Sequence, residues 1–481
     1  MTWYRGVSRR LLWVVMLTMA ASPMRAQQRG DLAITGGRVV DPASGTDRVV
    51  NILTRGDRII AITEDAIVAD RTIDATGLVV APGFIDILAT PSPNREPQHY
   101  KIKDGVTTVV QMHGGPVTIA QYYGSLAASG SLVNYGMTVG HTSVRIAAGV
   151  ADGTRPASER EIGVMREIAA RAIEEGAVGI GFGINYVPGS SYEEIVAMFD
   201  VAAQHGVPAH VHSRYKGSVF PGTIVQSVQE VIAAAAITGA SAQVVHLASS
   251  AIGSMDESLA MIEGAHRNGV DIMADIHPYL ANSTYLESAL YDPGWEERFG
   301  GITYDSIMLV DTGERLNAET FEYWREKGAL IITFFIPKEE VVMALEHPLV
   351  MITSDGIIED GKGHPRGAGT FARVLGQLTR VEGHLTLMEA LRKMTIMPAQ
   401  RIEHAAPSMR YRGRIAVGAY ADITIFDPNK VIDRATYLEP DQYSEGVHYV
   451  VVNGTVVLDE GEFVAGVAPG RPIRRTSRDN P

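Results

Sequence analysis

The apolar runs in the middle of this chain stop at polar residues of a single kind. VTTVVQMH ends in His113, YGMTVGH in His141, VPAHVH in His212 and AQVVH in His246, while PLVMITSD ends in Asp355. Between such runs lie stretches with apolar residues at helical spacing, among them EREIGVMREIAARAIEEG, SYEEIVAMFDVAAQHG and ESLAMIEGAHRNG. Strand, helix and strand in alternation is the pattern of a parallel sheet. One polar strand end means little, because a buried polar side chain is tolerated when paired or bound. Five of them imply side chains converging on a common point. Imidazoles and a carboxylate gathered at the carboxyl ends of parallel barrel strands are the usual makings of a metal site with a general base.

A chain of 481 residues exceeds one average domain but accommodates a barrel of ordinary size with a smaller partner. Residues 31–80 alternate apolar and polar positions in short runs broken by Gly, Asp and Asn, and the end of the chain repeats the style in RGRIAVGAYADITIFD and HYVVVNGTVVLDEGEFVAG. The latter includes an Asn453-Gly454 hairpin signal. The expected fold is α/β: a TIM-like (β/α)8 barrel over 81–409, with a small β-sandwich built from both chain ends, 31–80 plus 410–470. Candidate barrel strands begin near Val80, Thr107, Gly136, Val178, Pro208, Gln243, Asp271 and Leu349. Ala329–Thr333 is a ninth claimant for eight places, which leaves the seventh strand open, and HPYLANSTYL reads as a loop at the site.

With no cysteine, disulfides, thiolate metal sites and cysteine nucleophiles are excluded together, leaving His, Asp and Glu as ligands. Arg5, Arg9 and Arg10 precede an apolar stretch, Leu11 to Ala21, too short for a stable bilayer span and suited to an export signal, residues 1–26, cleaved after Ala26. The twin arginine resembles a signal for export of folded protein. The net charge of −13 becomes more negative without that segment, so nucleic acid is not an expected partner. No later stretch is long and apolar enough for stable membrane insertion. The mature protein is expected to be periplasmic or secreted, and a homo-oligomer remains open.

LVVAPGFIDI, DGVTTVV, VGHTSVR, EEGAVGIGFGINYVPG, SDGIIEDGKGHPRGAGTFARVLG, KMTIMPAQRI and GRIAVGAYADITIFDP together resemble the amidohydrolase superfamily, in its N-acyl-D-amino-acid deacylase (D-aminoacylase) branch. The resemblance covers most of residues 31–470 and implies a metal-bearing barrel that cuts amide bonds of N-acylated amino acids or related small molecules. It breaks where the family carries His-x-His after the first strand: here those positions read Leu88-Ala89-Thr90. The ligands implied for the remaining metal position are His113, His212 and His246. Three imidazoles and an open position suit one catalytic zinc per chain. His210, two residues before His212 on the same strand face, is a rival ligand.

The resemblance further implies Asp355 as the general base and Arg366, in GHPRGAG, as a fork for a substrate carboxylate. Tyr186 would line the acyl pocket or donate to the oxyanion. His141 would support the site or touch substrate. Ser283 and His277 flank the substrate loop, and the family commonly has Tyr where His277 stands. Ala248 stands where a relative carries lysine. Arg145 and Arg214 read as structural ion pairs or anion contacts. The glycines of Gly179-x-Gly181-x-Gly183 lack nucleotide-loop spacing and read as strand-end crowding. The substrate is therefore expected to be a small carboxylate-bearing amide. Hydrolysis of a dipeptide, cyclic imide or lactone on the same apparatus, and an inactive periplasmic binding relative, stay open.

Overall fold

The computed structural model describes residues 1, 2, 29–219 and 221–476. Almost all of the expected export signal lies outside the described residues. The centre of the chain is an array of parallel strands in sequence order. These are β1 (Phe84–Asp86), β2 (Val106–Gln111), β3 (Asn134–Met137, resuming as Val139–Gly140), β4 (Ile180–Gly183), β5 (Ala209–His212), β6 (Ala242–Val244), β7 (Ile272–Ile276) and β8 (Val350–Ile352). Each pairs in parallel with the next. Beyond β8, the Asp355 amide donates to the Leu88 carbonyl at 2.8 Å and the Ser354 amide to Asp86 Oδ1 at 3.1 Å, bringing the last strand back to the end of the first.

Helices cover the strands, and their starts and stops follow local chemistry. The helix Glu159–Glu174 opens on a capping box between Ser158 and Glu161, and its apolar face, Ile162, Met165, Ala169 and Ile173, is buried. The helix Tyr192–His205 ends on Gly206, whose left-handed φ of 64° closes the last turn. Strands covered in this way are apolar throughout, and every residue of β4 and β5 is buried.

Both chain ends build a second apolar unit. A seven-stranded sheet joins Arg38–Asp41, Thr46–Val49 and Val79–Pro82 to Ile423–Phe426, Val447–Val452, Thr455–Asp459 and Glu462–Phe463. A four-stranded sheet from residues 29–74 shares its core, with Leu32, Ile52 and Ile73 packed among Val39, Val80, Ile423 and Val451. Asn453 and Gly454, at φ 47° and 78°, make the tight hairpin their sequence signals.

Three expectations change. LVVAPGFIDI is not one strand: Val79–Pro82 belongs to the terminal sheet, and β1 begins after Gly83, where a Cβ would sit 2.3 Å from the Thr107 side chain. The ninth claimant, seen as Leu330–Phe334, pairs antiparallel between Ala281–Tyr285 and Ile307–Leu309, leaving the seventh place to β7. HPYLANSTYL thus contains a strand of that small sheet, which packs over a cluster of Leu286, Tyr291, Trp295, Phe299 and Phe321. Past the expected domain end, Pro472–Ile473 returns to pair with β3.

Candidate metal centre

Three histidines meet where the strands end. His212 closes β5, and His246 stands two residues beyond β6 in a left-handed conformation, φ 35°, rare for a residue with a Cβ. His113 comes from the segment after β2, which must cross toward β5. The glycines of neighbouring strands make room: a Cβ on Gly181 would lie 2.5 Å from the His113 backbone, and one on Gly140 would lie 2.7 Å from the Gly115 carbonyl. Strand-end crowding is therefore what these glycines serve.

His113 Nε2 and His246 Nε2 each lie 3.0 Å from His212 Nδ1, and one nitrogen from each ring falls within a group spanning 4.8 Å. Burial pushes all three pKa values down, those of His212 and His246 well down, so the rings are neutral at pH 7. The Ser249 hydroxyl donates to the His246 carbonyl at 2.9 Å and therefore accepts from His246 Nδ1, also at 2.9 Å. That assignment leaves His246 Nε2 as a bare lone pair facing His212 Nδ1. Three neutral imidazoles with one nitrogen each brought so close together form a donor set that fits a transition-metal ion.

Asp355 follows β8 with φ 51°, the second strained residue here, and the hydrogen bond its amide donates to the Leu88 carbonyl holds it. Arg366 opens the helix Arg366–Arg373 and places Nη2 2.9 Å from Asp355 Oδ2. Its Nε and Nη1 are buried without partners. The guanidinium expected to hold a substrate carboxylate lines the cavity with the histidines, one nitrogen on Asp355 and two donors unpartnered. Beside the missing His-x-His, Asp86 is buried and held by Lys101 Nζ at 2.9 Å, and that ammonium also reaches Ser354 Oγ at 2.8 Å.

The three histidines, Asp355, Tyr186 and Ser283 line one cavity of ≈590 Å³, and Leu88 and Ala89 form part of its wall. Tyr186 packs edge-on to His212, ring centres 5.1 Å apart, and its hydroxyl lies 3.4 Å from Thr284 Oγ1. Two expected substrate contacts do not reach this cavity. His141 is fully buried, its Nε2 2.7 Å from Glu194 Oε1, with Arg145 on the same carboxylate. It clamps the end of β3 to the helix Tyr192–His205. His277 is 1% exposed with both nitrogens unpartnered and sits beneath the site beside His364. His210 is buried and lies outside the three-histidine group. Arg145 and Arg214 are structural ion pairs, with Glu194 and Glu230.

Lys216 was not foreseen. It lines the cavity four residues after His212, 4% exposed, its Nζ donating to the Ser249 carbonyl at 3.1 Å. Burial pushes its pKa down to about 7, with Asp355 partly opposing. A lysine so soon after a ligand-bearing strand was the available signal. Below the site Asp275, in β7, accepts from the His246 amide at 2.8 Å, and burial raises its carboxyl to about 7 against that bond and those from Gln243 and Thr353.

The amidohydrolase family model matches residues 101–457. This chain belongs to the amidohydrolase family. An N-acyl-D-glutamate deacylase of Alcaligenes xylosoxydans xylosoxydans is 34% identical over 494 residues, covering 93% of this chain and 97% of the relative. The N-acyl-D-glutamate deacylase of Bordetella bronchiseptica, solved with zinc and a phosphonate inhibitor mimicking the tetrahedral intermediate, superposes with a TM-score of 0.81 at 29% identity, over 93% of this chain and all of that one. A D-aminoacylase with a binuclear metal centre, described by one-metal activation and second-metal attenuation, superposes at 0.80 with 30% identity over the same shares. The chain is accordingly a metal-dependent amide hydrolase.

Proposed function

We propose that this amidohydrolase cleaves the amide bond of N-acyl D-amino acids or closely related carboxylate-bearing small amides, using one zinc held by His113, His212 and His246. The observation that carries the reading is the convergence of three neutral imidazoles beside Asp355 in a single cavity. When bound, zinc supplies a Lewis acid for the amide carbonyl and lowers the pKa of water to about 7. Asp355 then accepts the proton of the attacking water and returns it to the leaving nitrogen, a role that needs one carboxylate to reach both. Arg366 positions Asp355 by holding Oδ2. Tyr186 and Ser283 offer hydroxyls to polar atoms of the substrate.

A single metal is supported by the first strand end, where Leu88 and Ala89 carry no donor and Asp86 is engaged by Lys101. The relative with one-metal activation supports the sufficiency of one ion. We also read β1–β8 as a closed (β/α)8 barrel, which the bonds from Ser354 and Asp355 to the end of β1 favour, and the terminal sheets as a β-sandwich. Export to the periplasm or medium rests on the arginines and apolar run before residue 27.

The test is elemental analysis of purified protein, run beside amine release from N-acetyl derivatives of D- and L-glutamate, aspartate and leucine. About one retained zinc per chain and turnover of at least one D substrate are expected. Two equally retained ions sink the single-metal assignment, and no amide cleavage sinks the substrate class.

A further inference from the structure

A second cavity, of ≈370 Å³, adjoins that of the three histidines. Thr90, Gly356, Ile357 and Glu359 line both, so the two spaces meet between the end of β1 and the turn after Asp355. The wall of this branch is largely apolar: Pro91, Pro93 and Pro97, Val109 of β2, Val133 and Ile358.

Its polar groups are already engaged. Gln98 donates its amide nitrogen to the Ser92 carbonyl at 2.8 Å, and its oxygen accepts from the Leu132 amide at 2.7 Å. The Tyr100 hydroxyl donates to Glu96 at 3.0 Å and the Tyr122 hydroxyl to the Pro91 carbonyl. Ser131 Oγ donates to the Val133 carbonyl at 2.7 Å, and Lys101 is held by Asp86 and Ser354. The prolines have no backbone N–H to offer. Asn94 and Glu359 are exposed to solvent. A polar group entering the branch would lose water without finding partners, whereas an apolar one would lose nothing.

The two halves of an N-acyl amino acid divide along the same line. The amino-acid half carries a carboxylate that needs donors, and Arg366, Lys216 and Ser283 line the histidine cavity but not the branch, apart from the engaged Lys101. The acyl half beyond the carbonyl is apolar. Gly356, next to Asp355 in the chain, is one of the shared residues, so a carbonyl set between the histidines and Asp355 stands beside the opening. A cavity of about 150 Å³ holds a six-carbon ring, so this one has room for an acyl chain of roughly six to ten carbons.

We propose that the branch is an acyl-chain subsite and that the enzyme prefers N-acyl amino acids with medium-length apolar acyl groups to their N-acetyl counterparts. The assignment rests on the amide-hydrolase reading and deepens it by naming the acyl class.

The test compares N-acetyl, N-butanoyl, N-hexanoyl and N-octanoyl derivatives of D-leucine and D-glutamate on zinc-loaded wild type, Pro97→Trp and Thr90→Phe. Pro97 is half-buried in the first turn of the helix Arg95–Lys103 and lines only the branch, so a tryptophan there fills it from the side away from the histidines. Thr90 is exposed where the two spaces meet, and a phenylalanine there narrows the opening. In wild type, kcat/KM rises about two- to fourfold per added methylene as far as hexanoyl, through KM, on the usual scale of methylene burial. Each variant loses at least about tenfold of the hexanoyl-to-acetyl ratio, on the same scale. Zinc content and thermal unfolding identify which variants are folded. A wild type that turns over acetyl substrates as well as hexanoyl ones overturns the proposal, and so does a chain-length preference that survives in either folded variant. If wild type cleaves none of these amides, calorimetric binding of N-hexanoyl- and N-acetyl-D-leucine decides. Tighter binding of the hexanoyl compound, lost in Pro97→Trp, keeps the subsite while the reaction class fails. Equal binding, or none, overturns the subsite as well.

Discussion

Ser249→Ala isolates one atom of support for the metal centre. The hydroxyl of Ser249 lies 2.9 Å from both Nδ1 and the carbonyl of His246, so it fixes the proton on Nδ1 and leaves Nε2 free to bind. Removing such a partner typically weakens metal affinity about 10–100-fold, or roughly 1.4–2.7 kcal/mol. In the metal-free protein the same change costs only one neutral hydrogen bond, about 1 kcal/mol. The two effects separate by assay. Competition with a chromophoric chelator gives the zinc dissociation constant, and thermal unfolding with and without zinc gives the metal-dependent part of stability, which shrinks as ln Kd rises. The variant should unfold nearly as the wild type does without zinc, while gaining less from it. A zinc dissociation constant within about twofold of wild type would falsify the tautomer argument, and with it the claim that these imidazoles are arranged for a metal.

His113→Ala should lose zinc and activity together, measured by elemental analysis and amine release, whereas His141→Ala should keep its zinc, since His141 binds Glu194 away from the cavity. Asp355→Asn should retain zinc and lower kcat by about 10²-fold or more, the usual scale of general acid–base help; a kcat near wild type removes Asp355 from proton transfer. The Glu194 carboxyl gives a pH test. Burial pushes its pKa up, but hydrogen bonds from His141 and Arg145, with the Arg145 charge, hold it down at about 2. A folded pKa below the unfolded one stabilises fully above about pH 4.5 and progressively less as pH falls toward 2. The urea midpoint of wild type should therefore exceed that of Glu194→Gln by a constant amount from pH 7 to 5, and the gap should close below that. A gap that stays constant down to pH 3 contradicts the pairing.

The parallel array was legible because its strands are short, wholly apolar and separated by helices with clear caps, such as Ser158 and Gly206. The three converging histidines were legible because they interrupt that apolarity at strand ends. His141 interrupts it in the same way, and only the far partner distinguishes it: Glu194, 53 residues on, meets its ring in a dry interior. The same holds for the ion pair of Arg366 Nη2 with Asp355, which the sequence does not carry. Sequence order carries the identity of a charge but not the neighbour that neutralises it. Lys216 shows the converse, since a lysine in a polar loop reads as solvated until the packing of Phe299 and Phe335 around it is seen. The split of LVVAPGFIDI at Gly83 was hidden for a different reason: two apolar strands in succession have no periodicity break, and the turn depends on contact with Thr107.

Charge ties these features together. Around the three neutral imidazoles, Asp355 is paired with Arg366 and Asp86 with Lys101, while Asp311, Glu359 and Asp360 also line the cavity. A divalent ion bound to the histidines is then not neutralised by its ligands, and Lys216 adds to the same sign when protonated. In a buried cavity that excess is screened less than at a surface. A neutral amide would enter without changing that balance, whereas a carboxylate-bearing amide would add a negative charge near the ion. Leu88 and Thr90 at the first strand end offer no imidazole to a second ion.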